Sequence, residues 1–346
     1  MSIIKKITPF ILLIVVGFLV YYPILSNQFL DYWDDQWVVM NHYTEGGINF
    51  QNIWNILTEF YHGQYAPFNE FLYLFLYTAF GYNPFVFHLA SLIIHVINSC
   101  LVFILLKKIL VLSGKVELVK VQLIAFITAF IFCIHPFNVE SVAWMSASKI
   151  IVYALFYFLA TYTFLLFLER GKIRYYIYTI ILFTFSFFGK EQAVVFPLWL
   201  VLLYWIANYR LSDKKIWIYL IPFFILSIAF GLITIYSQYA DGGGVLSDKA
   251  DYLFWQRIVF ACYSWFEYIW KTILPFKLSY LYPFPSIIGE PLPNWLLFYP
   301  VFLIIVLIAF WKYLKQRQLL YGLLFFYHTL SCGTTYYSFV ALCYCS

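Results

Sequence analysis

The sequence predicts an all-α polytopic membrane protein, and three observations carry that reading. Of its 346 residues 64% are hydrophobic and only 11% charged, with a mean hydropathy of +0.83. Apolar runs recur at close to the roughly 20 residues that a helix needs to cross a bilayer. Lys and Arg gather between alternate runs, as they do when a chain threads back and forth with its basic loops inside. The formal net charge of +5 is therefore a topology signal and not a nucleic-acid footprint. Aromatic residues, at 24%, suit a chain that sets many rings at two membrane interfaces.

The stretch 7–26 is too long for a removable signal peptide and lacks a small-residue cleavage site, so it reads as a retained first span. Further spans are expected at about 84–106, 120–137, 150–168, 173–188, 192–207, 215–237, 294–313 and 319–340. With the N-terminus cytoplasmic, the inner side receives Lys5, Lys6, Lys107, Lys108, Lys115, Lys120, Arg170, Lys172, Arg174, Arg210, Lys214, Lys215, Lys312, Lys315 and Arg317, which is 15 of the 21 basic residues. Of the 16 acids it receives only Glu117, Glu169 and Asp213. Were the segment 257–275 a full crossing, Lys312, Lys315 and Arg317 would land outside. A re-entrant or interfacial helix is expected there instead, with Glu267 and Lys271 placed for an i,i+4 pair.

The large first outer loop, 27–83, carries two amphipathic segments too short or too polar to cross. Ile53, Trp54, Leu57 and Phe60 share one helical face, as do Phe68, Phe71, Leu72, Phe75, Leu76 and Ala79. Both are expected to lie on the outer leaflet. Cys100, Cys133 and Cys262 stand singly in apolar segments and Cys332, Cys343 and Cys345 near the end, a pattern that specifies no disulfide framework.

Polar residues gather at the outer level. Asp34 and Asp35, in FLDYWDDQWVVMN, follow the first span and read either as a solvated carboxylate pair or as the seat of a general base, since adjacent carboxylates repel and one can be pushed toward neutral pH. HPFNVESVAW leaves the third span with His135 and Glu140, and Lys149 lies just beyond. GKEQ joins two apolar runs by so short a turn that Lys190 and Glu191 fall at or inside the interface, where ionisable groups are functional candidates or a self-satisfied pair. His135 before Pro136 also reads as a helix stop. His88 and His95, seven residues apart, read as a packed pair, and no spacing specifies a metal.

YWDDQWVVMN, GYNPFVFHLASLIIHVINSCLVFILL, HPFNVESVAWMSASK and GKEQAVVFPLWLVLLYW, in this order, resemble the membrane part of the transmembrane and tetratricopeptide-repeat (TMTC) proteins and their bacterial relatives. These are similar to protein O-mannosyltransferases within the GT-C glycosyltransferases. The resemblance spans about 10–325 and implies a GT-C-like helical bundle over 1–326, followed by an atypical tail, 327–346, without tetratricopeptide repeats. It implies inverting transfer of a sugar from a polyprenyl-phosphate donor to a hydroxyl of a protein or glycan on the outer face. Asp34 or Asp35, with Asp34 favoured, would be the base. Lys190, helped by Lys149 or Arg257, would hold the donor phosphate as the anomeric bond breaks. His135, Glu140 and Glu191 would support them. A lipid monophosphate donor places less demand on a divalent metal than a diphosphate does, so the resemblance names no cofactor and does not decide metal dependence. Membrane lipids are the implied surroundings, in a bacterial plasma membrane on the evidence of AT-rich residue usage, or in the endoplasmic reticulum of a eukaryote.

The chain departs from its relatives in three places. Where they read Glu-Arg-Lys-Asp, it has Ala147, Ser148, Lys149 and Ile150, and their second histidine is Asn138. The tail YHTLSCGTTYYSFVALCYCS replaces an expected outer segment, and codons advanced by one nucleotide permit the relatives' Pro-Val, Gln and Ile-Ile-Pro, so a frameshift in a longer coding region is expected. The other functional class left open is a non-catalytic transporter or inactive relative that binds a lipid-linked substrate.

Overall fold

The computed structural model describes residues 3–114, 116–240 and 252–309, apart from 280, 281, 283, 284 and 288. The span expected at 319–340, the basic cluster Lys312, Lys315 and Arg317 and the tail lie outside the described residues. Backbone contacts divide the chain into two compact units, Met1–Asp241 and Gly242–Ser346.

Among the described residues every regular element is helical. In the first unit these are α1 (Ile3–Tyr21), α2 (Asp35–Val38), α3 (His42–Glu45), α4 (Phe50–Thr58), α5 (Pro67–Phe80), α6 (Pro84–Ser113), α7 (Leu118–Ile134), α8 (Val139–Ala143), α9 (Lys149–Arg170), α10 (Ile173–Gly189), α11 (Phe196–Ile206) and α12 (Lys214–Ala240). Among the described residues four stretches are long and apolar enough to cross a membrane, Ile7–Ser26, Pro84–Ser113, Met145–Arg170 and Lys214–Gln238, and the bent pair Lys120–Ile134 and Pro136–Ala143 makes a fifth if taken as one span. Many of their apolar side chains face outward, among them Leu19, Ile218, Ile228 and Leu232, each exposed. Such a surface is stable against lipid and not against water. The protein is an all-α, membrane-embedded chain.

The third span is not straight. It breaks at His135, where Lys120–Ile134 and Pro136–Ala143 meet at 49°. Pro136 has no N–H to continue the helix, and it keeps His135 extended at φ −66° and ψ 129°. The helices Ile173–Gly189 and Glu191–Ile206 are shorter than a full crossing, and the chain breaks between them at Lys190, itself extended.

Packing within the bundle follows small residues and polar bridges. Leu13, Phe103, Ala125, Ala129 and Cys133 join α1, α6 and α7. Asn98 Nδ2 donates to Ile151 O at 2.9 Å, tying α6 to α9, and Trp199 Nε1 donates to Thr161 Oγ1 at 3.0 Å, tying α11 to α9. At the basic end, Lys108 on α6 pairs with Glu169 on α9 at 2.6 Å. The α9–α10 pairing turns on Gly189, where an added Cβ would lie 2.8 Å from both Cα and N of Tyr153.

Both amphipathic segments of the outer loop are helices, α4 and α5, and part of each apolar face, Trp54 and Phe75 among it, stays exposed. In α4 the buried residues are Asn52 and Ile56, while Trp54 is 54% and Phe50 79% exposed. Asn52 turns inward because its Nδ2 donates to Tyr43 O and Gly47 O, both at 2.9 Å. In α5 the buried residues are Pro67, Asn69, Tyr73 and Leu74. Phe68 lies against Phe156 and Phe185 at centroid distances of 5.2 and 4.8 Å, so α5 is docked on α9 and α10.

In the second unit, α13 (Phe254–Ile273) and α14 (Phe298–Ala309) share a core of Tyr252, Val259, Phe260, Leu292 and Leu296. The expected pair forms, Lys271 Nζ lying 3.1 Å from Glu267 Oε2. This helix, which covers most of 257–275, is not among those apolar enough to cross.

Gly189→Ala is expected to push α10 off Tyr153 and destabilise the protein by about 1–3 kcal/mol, as overpacking does. Thermal unfolding of the detergent-solubilised protein, followed by tryptophan fluorescence, measures it.

Candidate functional site

The outer loop is seated on the turn Met145–Lys149 through a series of side chains. Asp35, only 1% exposed, accepts through Oδ1 from Ser146 N at 3.0 Å and Ser146 Oγ at 2.5 Å. Its Oδ2 accepts from Leu30 N at 3.0 Å. Tyr73 OH donates to Met145 O at 2.6 Å and lies 2.8 Å from Ser148 Oγ. Ser148 Oγ donates to Asn69 Oδ1 at 3.0 Å, and Lys149 Nζ donates to Gln64 Oε1 at 2.5 Å. Val38, Val39, Tyr73, Phe87 and Met145 close an apolar core around these bonds, where the low dielectric strengthens each of them.

The two adjacent aspartates thus have different surroundings. The Asp35 carboxylate is buried and takes three donors, which makes it a fastening for the loop. Asp34 is half-buried and within electrostatic range of Lys149. Of the pair, it presents the carboxylate open to an incoming group.

A cleft opens between α3, α4 and α5, lined by Tyr43, Glu59, Tyr61, Gln64, Glu70 and Lys149 among others. The centre of a water-sized sphere moves through about 20 Å³ of it, room for a water or two. A sugar ring needs its mouth, or displacement of Gln64. Gln64 belongs to a tight turn in which Tyr61 and Gln64 exchange backbone hydrogen bonds at 3.1 and 3.0 Å. The central residues, His62 and Gly63, have φ of 47° and 67°, as a type I′ turn requires.

Glu70 was not evident from the sequence. Its Oε2 accepts from Asn41 Nδ2 at 3.0 Å, and Asn41 Oδ1 caps α3 by accepting from Tyr43 N and Thr44 N. Burial pushes the Glu70 carboxyl up to about 7, against the opposing pull of the Asn41 hydrogen bond and of the Lys149 ammonium. Tyr43 OH donates to Glu59 Oε2 at 2.8 Å, and burial together with that carboxylate raises the phenol above its ordinary range. The one signal was a carboxylate in the otherwise apolar run PFNEFLYLF, a place where burial is costly and so calls for a partner.

Lys149 is the first residue of α9, a position where the helix dipole disfavours a cation. Asp34, Glu70 and Glu191 act on its charge as neighbours, together with Lys190. Lys190 is 7% exposed and has Glu191 and Glu140 as its electrostatic neighbours. Two buried polar atoms at this level, Glu191 Oε1 and Trp144 Nε1, have no hydrogen-bond partner among the described residues.

The remaining expected residues fall elsewhere. His135 Nδ1 accepts from Phe137 N at 3.2 Å, closing the turn after the helix break. Arg257 belongs to the second unit, where its Nε donates to Tyr252 O at 3.0 Å. His95 Nε2 is 2.9 Å from Cys133 O, while neither ring nitrogen of His88 has a side-chain hydrogen-bond partner among the described residues. Among the described residues no cluster of three His, Cys, Asp or Glu is arranged to hold a metal ion.

Comparison with protein-family models, with curated proteins and with solved structures found no match.

Asp35→Asn places an amide N–H against one of the donors that now meet a carboxylate, and is expected to lower stability by roughly 2–3 kcal/mol, whereas Asp34→Asn leaves it within about 0.5 kcal/mol. Thermal denaturation of the two variants side by side distinguishes the fastening from the open group. For Glu70, the folded protein holds a proton between the ordinary carboxyl value of 4.5 and about 7 that the unfolded chain has lost. Stability therefore falls as pH rises through that window and levels off above it. Glu70→Gln should flatten the slope and be more stable than wild type at pH 8 by on the order of 2–3 kcal/mol, read from melting curves taken across pH 4.5–8.

Proposed function

We propose that this protein is a GT-C-like glycosyltransferase of the membrane, which transfers a sugar from a polyprenyl-phosphate donor to a hydroxyl on the outer face with inversion at the anomeric carbon. One observation carries the reading. Three stretches far apart in sequence bring their polar residues into one neighbourhood: Asp34 from YWDDQW, Glu140 and Lys149 from HPFNVESVAWMSASK, and Lys190 with Glu191 from GKEQ.

Such a transfer needs a carboxylate to take the proton of the acceptor hydroxyl and a cation to stabilise the phosphate as it leaves. Asp34 is the carboxylate of the pair left open, Lys149 is the cation within electrostatic range of it, and Lys190 is a second cation near Lys149. In this scheme the acceptor oxygen attacks the anomeric carbon, its proton passes to Asp34, and the bond to the lipid phosphate breaks with the electron pair going to the phosphate oxygen. Glu191 Oε1 and Trp144 Nε1, buried without partners, are an acceptor and a donor for hydroxyls of the sugar. Arg257 has no part in this scheme, and Asp35 enters it only by holding the loop. The membrane is that of a bacterial cell or of the endoplasmic reticulum.

With labelled polyprenyl-phosphate sugar and purified protein, Asp34→Asn should cut transfer by about 100-fold or more while leaving the melting temperature unchanged, a loss within the range ascribed to a general base. Transfer at the wild-type rate by Asp34→Asn would remove the assigned base.

A further inference from the structure

The charges around Lys149 do not balance. Asp34, Glu70, Glu140 and Glu191 supply four carboxylates, and Lys149 and Lys190 two ammonium groups, so with all ionised the cluster is negative by two. A site in that state repels the anion it is proposed to receive. The excess is smallest when one carboxylate holds a proton, and Glu70 is the one placed for it. It is half-buried in the cleft that Lys149 also lines, it has a neutral hydrogen-bond donor in Asn41 at 3.0 Å, and among the described residues the ion pairs are made by other side chains.

Lys149 is meanwhile occupied on its loop side by Gln64 Oε1 at 2.5 Å, a neutral acceptor on a two-residue turn. An amide oxygen is a weak competitor for an ammonium group, and a carboxylate a strong one. Glu191 and Asp34 act on Lys149 more strongly than Glu70 does, but of these three carboxylates only Glu70 lines the cleft with Lys149, so its charge is the one that bears on Lys149 from the cleft side.

We propose that Glu70 is a positioning residue that governs anion binding at Lys149: its ionised form draws the ammonium into the cleft and excludes a phosphodiester, and its protonated form releases Lys149 to one. The proposal rests on the reading of Lys149 as part of a donor-phosphate site. The titratable groups around Glu70 are Lys149 from α9, Tyr43 from α3, Tyr61 from the turn after α4, Tyr73 one turn along α5, and Glu59, which lines the same cleft and accepts from Tyr43 OH. Burial holds the Tyr43 and Tyr61 phenols neutral well above pH 8, so neither charges in the working window. By linkage, binding and protonation favour each other. Affinity rises as pH falls through about 7, and the bound anion raises the carboxyl further.

The test uses a long-chain dialkyl phosphate, whose single charge is constant across the range, and the full chain in detergent. Binding is measured by calorimetry at pH 6 and pH 8.5. Wild type should bind about tenfold more tightly at pH 6, the size expected for one partly buried charge several ångströms away. Glu70→Gln should bind at pH 8.5 as tightly as wild type does at pH 6, with the pH dependence gone. Should Glu70→Gln fold poorly, Glu70→Asp keeps the titrating group and should keep the dependence. Wild-type pH dependence in Glu70→Gln, or its loss in a well-folded Glu70→Asp, overturns the proposal. Absence of binding by wild type at both pH values overturns the donor-phosphate reading and this inference with it. A pH-dependent site in a protein that transfers no sugar leaves Glu70 in this role and removes only the glycosyltransferase.

Discussion

The buried carboxylate of Asp35 is the constraint on which the outer loop depends. A charge with 1% exposure is tolerable only if every lone pair that faces protein finds a donor, and here the donors come from both sides of the loop: Leu30 from its own strand of chain and Ser146 from the start of the α9 span. Once that bond set is made, Tyr73, Asn69 and Gln64 reach Met145, Ser148 and Lys149 in turn. A loop of more than fifty residues, otherwise free to wander over the membrane surface, is thereby given one register on a five-residue turn. Each bond is modest, and together they hold the cleft open between the loop's own helices.

This seating also explains how much could be read from the residues alone. Membrane crossing is written in composition and run length, so the spans beginning at 7, 84, 150 and 215 were legible to within a few residues. The break at His135 was legible as a helix stop in His-Pro, though its bend depends on packing around α8. The helices α4 and α5 were legible in their apolar periodicity, while the polar residues they bury, Asn52 and Asn69, were not. Beside a membrane, Phe50 and Trp54 can face outward while Asn52 turns inward to satisfy backbone carbonyls. Glu70 escaped for a related reason: its role comes from Asn41 and Lys149, which lie 29 and 79 residues away in the chain, and no local pattern records such a meeting. Asp34 and Asp35 look alike in sequence and differ only once Ser146 is placed.

The electrostatics of the outer end have a common logic. Two lysines and several carboxylates share a small volume, and the lysines are set where a cation is least comfortable, one at a helix start and the other deeply buried. Arrangements of this kind carry a stability cost that evolution keeps where chemistry or binding uses it. At the opposite end the pairs Lys108–Glu169 and Lys120–Glu117 are partly to largely exposed and of the ordinary surface kind. The asymmetry in burial between the two ends mirrors the asymmetry in task that the glycosyltransferase reading assigns to them.

The contact of Gly189 with the Tyr153 backbone acts as a ruler. Tyr153 sits one helical turn after Lys149, and Gly189 immediately precedes Lys190, so backbone-to-backbone contact at that point forbids α10 from sliding along α9. Two like charges are consequently delivered to the same height in the bundle and kept there, unable to relax apart. The carboxylates of Asp34, Glu140 and Glu191 share that height with them, so the register of two helices fixes the balance of charge at this point and leaves side-chain protonation as its only adjustment.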